Sequence, residues 1–256
     1  WFYIADGVEM ARSLMEENPD ITAASPRLLE NGFFLAVRDG PVPGANSDRP
    51  GFVNSNVRGV IPEMNAPFDR DELIRGTGLS DPGDPFRDDP AYGGSNYTAW
   101  ADAPGFTGEI TVNDRLAGLL EVGPGDRVRF ATTLPSGADS LEEWNASAVT
   151  FTVTGITGSE LEGPGDTSAV VHLSELQYAL RRDGEGQINK IFVRVASGAS
   201  PEDVADWAEN GFSRADEVSA YTQEEVLEEM FRFLEQFTAF ATIIAVITIS
   251  ISFLFI

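Results

Sequence analysis

The chain has 256 residues, 41 acidic against 17 basic, for a net charge of −24, and its pI is near 4.2. That sign argues against nucleic-acid backbones and anionic lipid headgroups as direct partners. Cysteine is absent, which removes disulfides and thiol chemistry, and the single histidine, His172, removes histidine metal clusters.

The start Trp1-Phe2-Tyr3-Ile4 suits either the interfacial end of an earlier membrane helix or a first strand. Asp6 and Glu9 then cap a predicted short helix with Val8, Ala11, Leu14 and Met15 on its apolar face, stopped by Asn18-Pro19. Strands are predicted at Ile21–Ser25 and Phe33–Val37, with Asn31-Gly32 as the turn between them. Asp39 to Asn56 reads as a surface loop, Val57 to Ile61 as a strand, and Asp69 with Glu72 as the start of a helix ending by Gly76. Gly76 to Gly105 shows no periodicity. Its aspartates do not follow the alternating ligand spacing of a calcium loop, so they read as solvated acids.

Regular structure resumes with a strand at 108–112 and a short helix at Asp114–Leu120. Glu121 to Asp126 forms a tight turn, with Gly125 suited to a turn conformation and Asp126 to bonding the turn backbone. A strand follows at Arg127–Thr132. Ala148 to Ile156 alternates apolar residues with threonines, as a half-buried antiparallel strand does. A β-α-β-α-β order is predicted for Ala169–His172, Leu173–Arg182, Ile188–Val195, Pro201–Glu209 and Glu217–Ala220.

The last stretch opens with the capping box Thr222-Gln223-Glu224-Glu225, in which Thr222 and Glu225 satisfy each other's backbone N–H groups. Val226, Met230, Phe233 and Phe237 then recur at 4-3-4 spacing, as contacts of a stalk helix with a neighbouring helix or with the chain's own outer domain. From Phe237 to Ile256 there is no charge, glycine or proline. At ~1.5 Å per residue such a run spans roughly 30 Å, the hydrocarbon thickness of a bilayer. One continuous helix, stalk then membrane span, is the expectation. A chain that begins at Trp1 and stops inside an apolar run reads as a piece of a longer protein.

Catalytic signatures are weak. His172 ends a strand and reads as a hydrogen-bonded structural residue, with no G-x-S-x-G elbow in the chain. The chain's one lysine, Lys190, lies far from the glycine-rich turn, and no phosphate-loop pattern occurs. Paired acids are inevitable among so many carboxylates. No catalytic, cofactor-binding or metal-binding residue is predicted. The dispersed acids with arginine replacing lysine resemble proteins of salt-loving archaea, where screening suppresses self-repulsion. The sequons at Asn96 and Asn145 suit an outer surface.

The ordered series Gly59-Val60-Ile61-Pro62, Gly108 to Asn113 with Leu116-Ala117, and Leu120 to Val128 containing Val122, Gly125 and Asp126 resembles the ectodomain of FtsX/MacB-type ABC transporter permeases. Phe151 to Ile156, Leu173 to Leu180 and Asn189 to Val195 fit its order as well. The resemblance implies an α+β fold: a porter-like α/β subdomain from residues 1–64 and 167–221, and an inserted β-rich sabre-like subdomain at 65–166. A stalk helix at 222–236 and a membrane helix at 237–256 would follow. It further implies a multi-pass cell-membrane permease with residues 1–236 outside the cytoplasm, an ABC ATPase partner, a homodimer or heterodimer, contact with membrane lipids, and no cofactor. Mechanotransmission would move a lipid, lipoprotein, peptide or drug. An extracytoplasmic sensor domain is one alternative, which would share the stalk but not the ordered motif series, and a surface-anchored enzyme or adhesin is another, which would need a site that the sequence does not display.

Overall fold

The computed structural model describes residues 3–37, 51–69, 71–80, 107–133, 148–158, 166–180, 187–229, 231–233, 235 and 238. The chain divides into two compact units, Trp1–Ala196 and Ser197–Ile256. In the first, helix α1 (Gly7–Glu17) is followed by strands β1 (Ile21–Val37) and β2 (Val53–Val60), helix α2 (Pro62–Asn65) and a 3-10 turn at Ala66–Phe68. Strands β3 (Glu72–Gly76) and β4 (Glu109–Asn113), helix α3 (Asp114–Leu120), and strands β5 (Arg127–Ala131), β6 (Val149–Gly158) and β7 (Ser168–His172) come next. Helix α4 (Leu173–Ala179) and strand β8 (Lys190–Val195) complete it. The fold is α+β.

The strands close on themselves. β1 pairs with β2, β2 with β7, β7 with β4, β4 with β6, β6 with β5, and β5 with β1 again. A closed ring leaves no free edge among those six strands. β8 extends the N-terminal half of β1 and β3 extends β6. Strands from residues 65–166 and from 1–64 and 167–221 share one sheet, so the boundaries at 65 and 166 do not separate two sheets among the described residues.

The core is continuous. Phe34, Phe130, Phe151, Ile110, Val112 and Ile156 from the strands pack with Leu116 and Leu120 of α3 and Leu173 and Leu176 of α4. Gly59 lies where an added Cβ would stand 3.1 Å from the Leu173 Cα and from Leu176 Cβ, so its lack of a side chain lets β2 approach α4.

Five local expectations change. Ile21 to Val37 is one strand, because Asn31 and Gly32 pair with Asn56 and Ser55 of β2 instead of turning. Gly32 is there for space: an added Cβ would sit 2.1 Å from Phe130 Cε2. Glu72 to Gly76 is a strand on β6 in place of the expected helix, and a short helix that was not expected stands earlier, started by Pro62 at its first position. Asp69 Oδ1 accepts from the Asp71 N–H at 3.2 Å, a local turn that competes with helix capping. β6 is antiparallel to β3 and β5 but parallel to β4. Asp6 caps α1 without a side-chain bond, in a left-handed conformation with φ 51°, and Met10 takes the buried place expected of Met15. The fifth change, at Glu217–Ala220, belongs to the second unit.

The other elements lie close to their predicted ranges, apart from Val53–Asn56, which joins β2, and Leu180, which falls outside α4, while Arg181 and Arg182 lie outside the described residues. Ile4 forms a β-bridge with Ile188, favouring the strand reading of the chain start, while Trp1 and Phe2 lie outside the described residues. Residues 39–50 of the first predicted loop and 81–105 of the aperiodic stretch also lie outside them, as do both sequon asparagines, Asn96 and Asn145.

Gly32→Ala is expected to destabilise the chain by about 1–3 kcal/mol, the usual cost of overpacking a filled core. Chemical denaturation measures it, and an unchanged midpoint would show that the Phe130 ring has room to move.

Candidate functional site

The turn shared with the permease pattern is built from local bonds. α3 is capped by Asn113, whose Oδ1 accepts from the Leu116 N–H at 2.9 Å, and it ends at Glu121 in a left-handed conformation. Val122 is buried and donates its N–H to the Ala117 carbonyl at 3.0 Å. Asp126 Oδ2 accepts from the Gly123 N–H at 2.8 Å, and the Asp126 N–H returns to the Gly123 carbonyl at 3.0 Å. Gly125 has φ +93°, a region that side chains rarely adopt, and donates its N–H to Val153 at 2.7 Å. Val122, Gly125 and Asp126 thus fasten the entry of β5 to β6.

A second cluster was not flagged by sequence. Glu175, in the first turn of α4, is 1% exposed. Its Oε1 accepts from the Thr107 N–H at 2.6 Å, the Thr107 hydroxyl at 2.8 Å and the Gly108 N–H at 3.2 Å. Burial pushes the Glu175 carboxyl above the usual carboxylate range, against the pull of the Thr107 hydroxyl and the His172 imidazole. Glu109 Oε2 accepts from the Ser80 N–H at 2.6 Å and lies 3.6 Å from His172 Nε2. Buried His172 Nε2 has no hydrogen bond among the described residues, and the Glu109 carboxylate is the charged group beside it. These side chains hold Ser80 and Thr107, on either side of segment 81–106, next to α4. Among the described residues no group of three metal-binding side chains occurs.

The second unit carries the predicted stalk. Helix α5 (Pro201–Asn210) is capped by Ser200, whose Oγ accepts from the Asp203 N–H at 3.0 Å. Its end is folded over by Trp207 and Phe212, with ring centroids 5.6 Å apart. A 3-10 turn occupies Ala215–Glu217, closed by Arg214 on Glu217 at 2.8 and 2.5 Å, and residues 218–220 are not a strand. That corrects the predicted β-α-β-α-β order: here the chain is held by side chains in place of a ladder. Glu209 Oε1 accepts from the Ala220 N–H at 3.0 Å, two residues before the helix cap.

Thr222 and Glu225 stand in reciprocal contact. The Thr222 N–H donates to Glu225 Oε2 at 2.7 Å and the Glu225 N–H donates to Thr222 Oγ1 at 3.2 Å. Residues 223–229 and 231–233 are helical. Val226 is 55% exposed and Phe233 65% exposed, seven residues and so two turns apart on one face, with exposed Leu227 and Phe231 beside them. Met230, Phe237 and the apolar run 239–256 lie outside the described residues. Among the described residues no helix is long and apolar enough to cross a membrane.

The pH dependence of Glu175 has a definite sign. A carboxyl whose folded pKa is raised favours the folded state below the unfolded value and loses that contribution as pH rises through the folded value. Glu175→Gln keeps Oε1 as acceptor and removes the charge. Its stability relative to the parent is expected to rise as pH climbs from about 4.5, measured by urea denaturation across pH. A difference that stays flat with pH would overturn this assignment.

Residues 4–210 match the MacB-like periplasmic core domain. No curated protein sequence matches the chain. Among solved structures, the extracellular domain of the noncanonic ABC-type transporter YknZ from Gram-positive bacteria aligns with TM-score 0.47 and 8% identity, covering 79% of each chain. The periplasmic region of MacB from Actinobacillus actinomycetemcomitans aligns with TM-score 0.48 and 11% identity, covering 83% of this chain and 78% of that one. With the match spanning most of its length, the chain belongs to the MacB-like periplasmic core domain family, the extracytoplasmic domain of MacB/FtsX-type ABC transporter permeases.

Proposed function

We propose that this chain is the outer domain and stalk of a non-catalytic permease subunit that converts ATP-driven motion into movement of its extracytoplasmic domain. The observation that carries this reading is the second unit. The chain between α5 and the stalk is held by Glu209, by Arg214 with Glu217 and by the Thr222–Glu225 box, and it leads into a helix with exposed apolar residues. The sequence from Thr222 to Ile256 holds no glycine or proline, the residues at which helices most often kink.

In this reading Val226, Met230, Phe233 and Phe237 meet the stalk of a second permease subunit, in a homodimer or heterodimer. Residues 237–256 enter membrane lipid, and the full protein is multi-pass. A separate ABC ATPase hydrolyses ATP, and the cargo is a lipid, lipoprotein, peptide or drug that is exported or extracted. The acidic surface suits a salt-rich exterior of the kind met by haloarchaea.

The full-length protein is expected to co-purify with an ABC ATPase in mild detergent at high salt, and purification without one would sink the proposal. Phe233→Pro, costing about 3 kcal/mol or more in a helix interior, is expected to uncouple ATP hydrolysis from function while the outer domain keeps its unfolding midpoint. Retained ATP-driven function in that variant would rule out a rigid stalk.

A further inference from the structure

Among the described residues Arg27 is a buried cation with no counter-ion bonded to it. It lies on β1, is 6% exposed, and its Nε has no hydrogen-bond acceptor among the described residues. Its guanidinium carbon stands 4.1 Å from the ring centroid of Phe192 on β8 and 5.9 Å from that of Phe68. Burial, then Arg58, lowers its pKa to about 10, while Asp69 and Asp71 act against that shift. It is therefore charged at neutral pH.

The carboxylates nearest in effect are engaged elsewhere. Asp71 Oδ2 pairs with Arg58, and Asp69 Oδ1 takes the Asp71 N–H. More positive charge borders the same place. Arg194 stands 5.6 Å from the Phe68 ring, and Lys190 is the cross-strand partner of Arg27. Lys190, Phe192 and Arg194 alternate along β8 and so share one face, with Phe192 39% exposed. Among the described residues, Arg27, Arg58, Arg194 and Lys190 here meet Asp69 and Asp71, in a chain whose overall charge is strongly negative.

We infer that this face is a binding site for a phosphate group, seated on the Arg27 guanidinium beside the Phe192 ring. Rings against a guanidinium leave its N–H fork to bond in its plane, and that fork matches phosphate oxygens in pairs. Arg194 and Lys190 supply the further charge that a dianion needs. The chain's net charge repels phosphates at long range, but screening at roughly 8 Å in physiological salt lets the local patch decide at contact. The phosphate belongs either to a free anion or to the headgroup of a lipid, and the exposed Phe192 ring offers an apolar surface beside it.

The test uses the full chain in neutral detergent at constant ionic strength. Inorganic phosphate and monomeric dihexanoyl phosphatidic acid are titrated separately, with binding read by calorimetry and thermal unfolding. The parent chain is expected to bind at least one probe, and Arg27→Met to bind it about tenfold more weakly or worse, as loss of a charged hydrogen bond implies. A preference for the lipid probe assigns the headgroup source, and binding of inorganic phosphate alone assigns the free anion. Without ligand, Arg27→Met is expected to unfold at a higher temperature, because an unpaired buried cation is removed. Should that variant fail to fold, Arg27→Lys keeps the charge, loses the planar fork, and is expected to weaken binding likewise. No binding of either probe, or equal binding by the parent and the Arg27 variants, would overturn the site.

Discussion

The first unit depends on β1 serving several partners. Its 17 residues exceed what one neighbour can pair, and the strand is divided among them. Ile21 to Arg27 pairs with β8, Leu28 to Phe34 with β2, and Phe33 to Val37 with β5. Where β2 and β5 both flank it, β1 closes the ring. At that closure Phe34 and Phe130 lie 5.0 Å apart, and Gly32 vacates the space that the Phe130 ring fills. A larger residue at position 32 would press on the strand pair that joins the two ends of the sheet. Closure also explains why antiparallel and parallel pairs coexist. β4 and β7 return to the ring after helices or long connections and cannot all run as hairpins.

Two buried ions show opposite answers to the cost of desolvation. Glu175 has three donors on one oxygen, dipoles fixed in the chain that act against the upward push of burial without cancelling it. Arg27 has aromatic faces in place of acceptors, with its charge offset at a distance by Asp69 and Asp71. Rings stabilise a cation by roughly 0.5–2 kcal/mol, less than full hydrogen bonding supplies. A residue kept in that condition is costly to a fold that needs only packing. The cost is intelligible where an outside group completes the set of bonds.

Local chemistry was legible in the sequence and long-range contact was not. The Thr222–Glu225 box and the Val122–Asp126 turn could be read because their partners lie within a few residues and one backbone angle decides each. The helix at 114–120 was readable for the same reason, with Asn113 at its cap. Asn31-Gly32 misled because a glycine serves a turn or a close approach equally well, and only the Phe130 ring, distant in sequence, decides between them. Asp69 misled because an aspartate that begins a helix and one that closes a turn use the same oxygen. Glu175 and Arg27 were invisible among many charged residues. Their significance arises from Thr107, Phe68 and Phe192, none of which sequence spacing brings near them.

The correction at residues 218–220 bears on the proposed driving of the helix as a stalk. A strand would have tied this stretch into a ladder of backbone bonds. The observed connection is instead a series of side-chain clasps, each worth about 1 kcal/mol for a capping or neutral hydrogen bond. Displacement passing along such a connection is limited by its weakest clasp, not by the helix beyond it. Thr222 is buried although its neighbours Tyr221, Gln223 and Glu224 are exposed, so the cap itself is the most sheltered point of the junction. Glu209 adds a bond from α5 to the backbone just before that cap. In the proposed reading of this helix as a stalk, its driven end would be held by the cap and by Glu209 together.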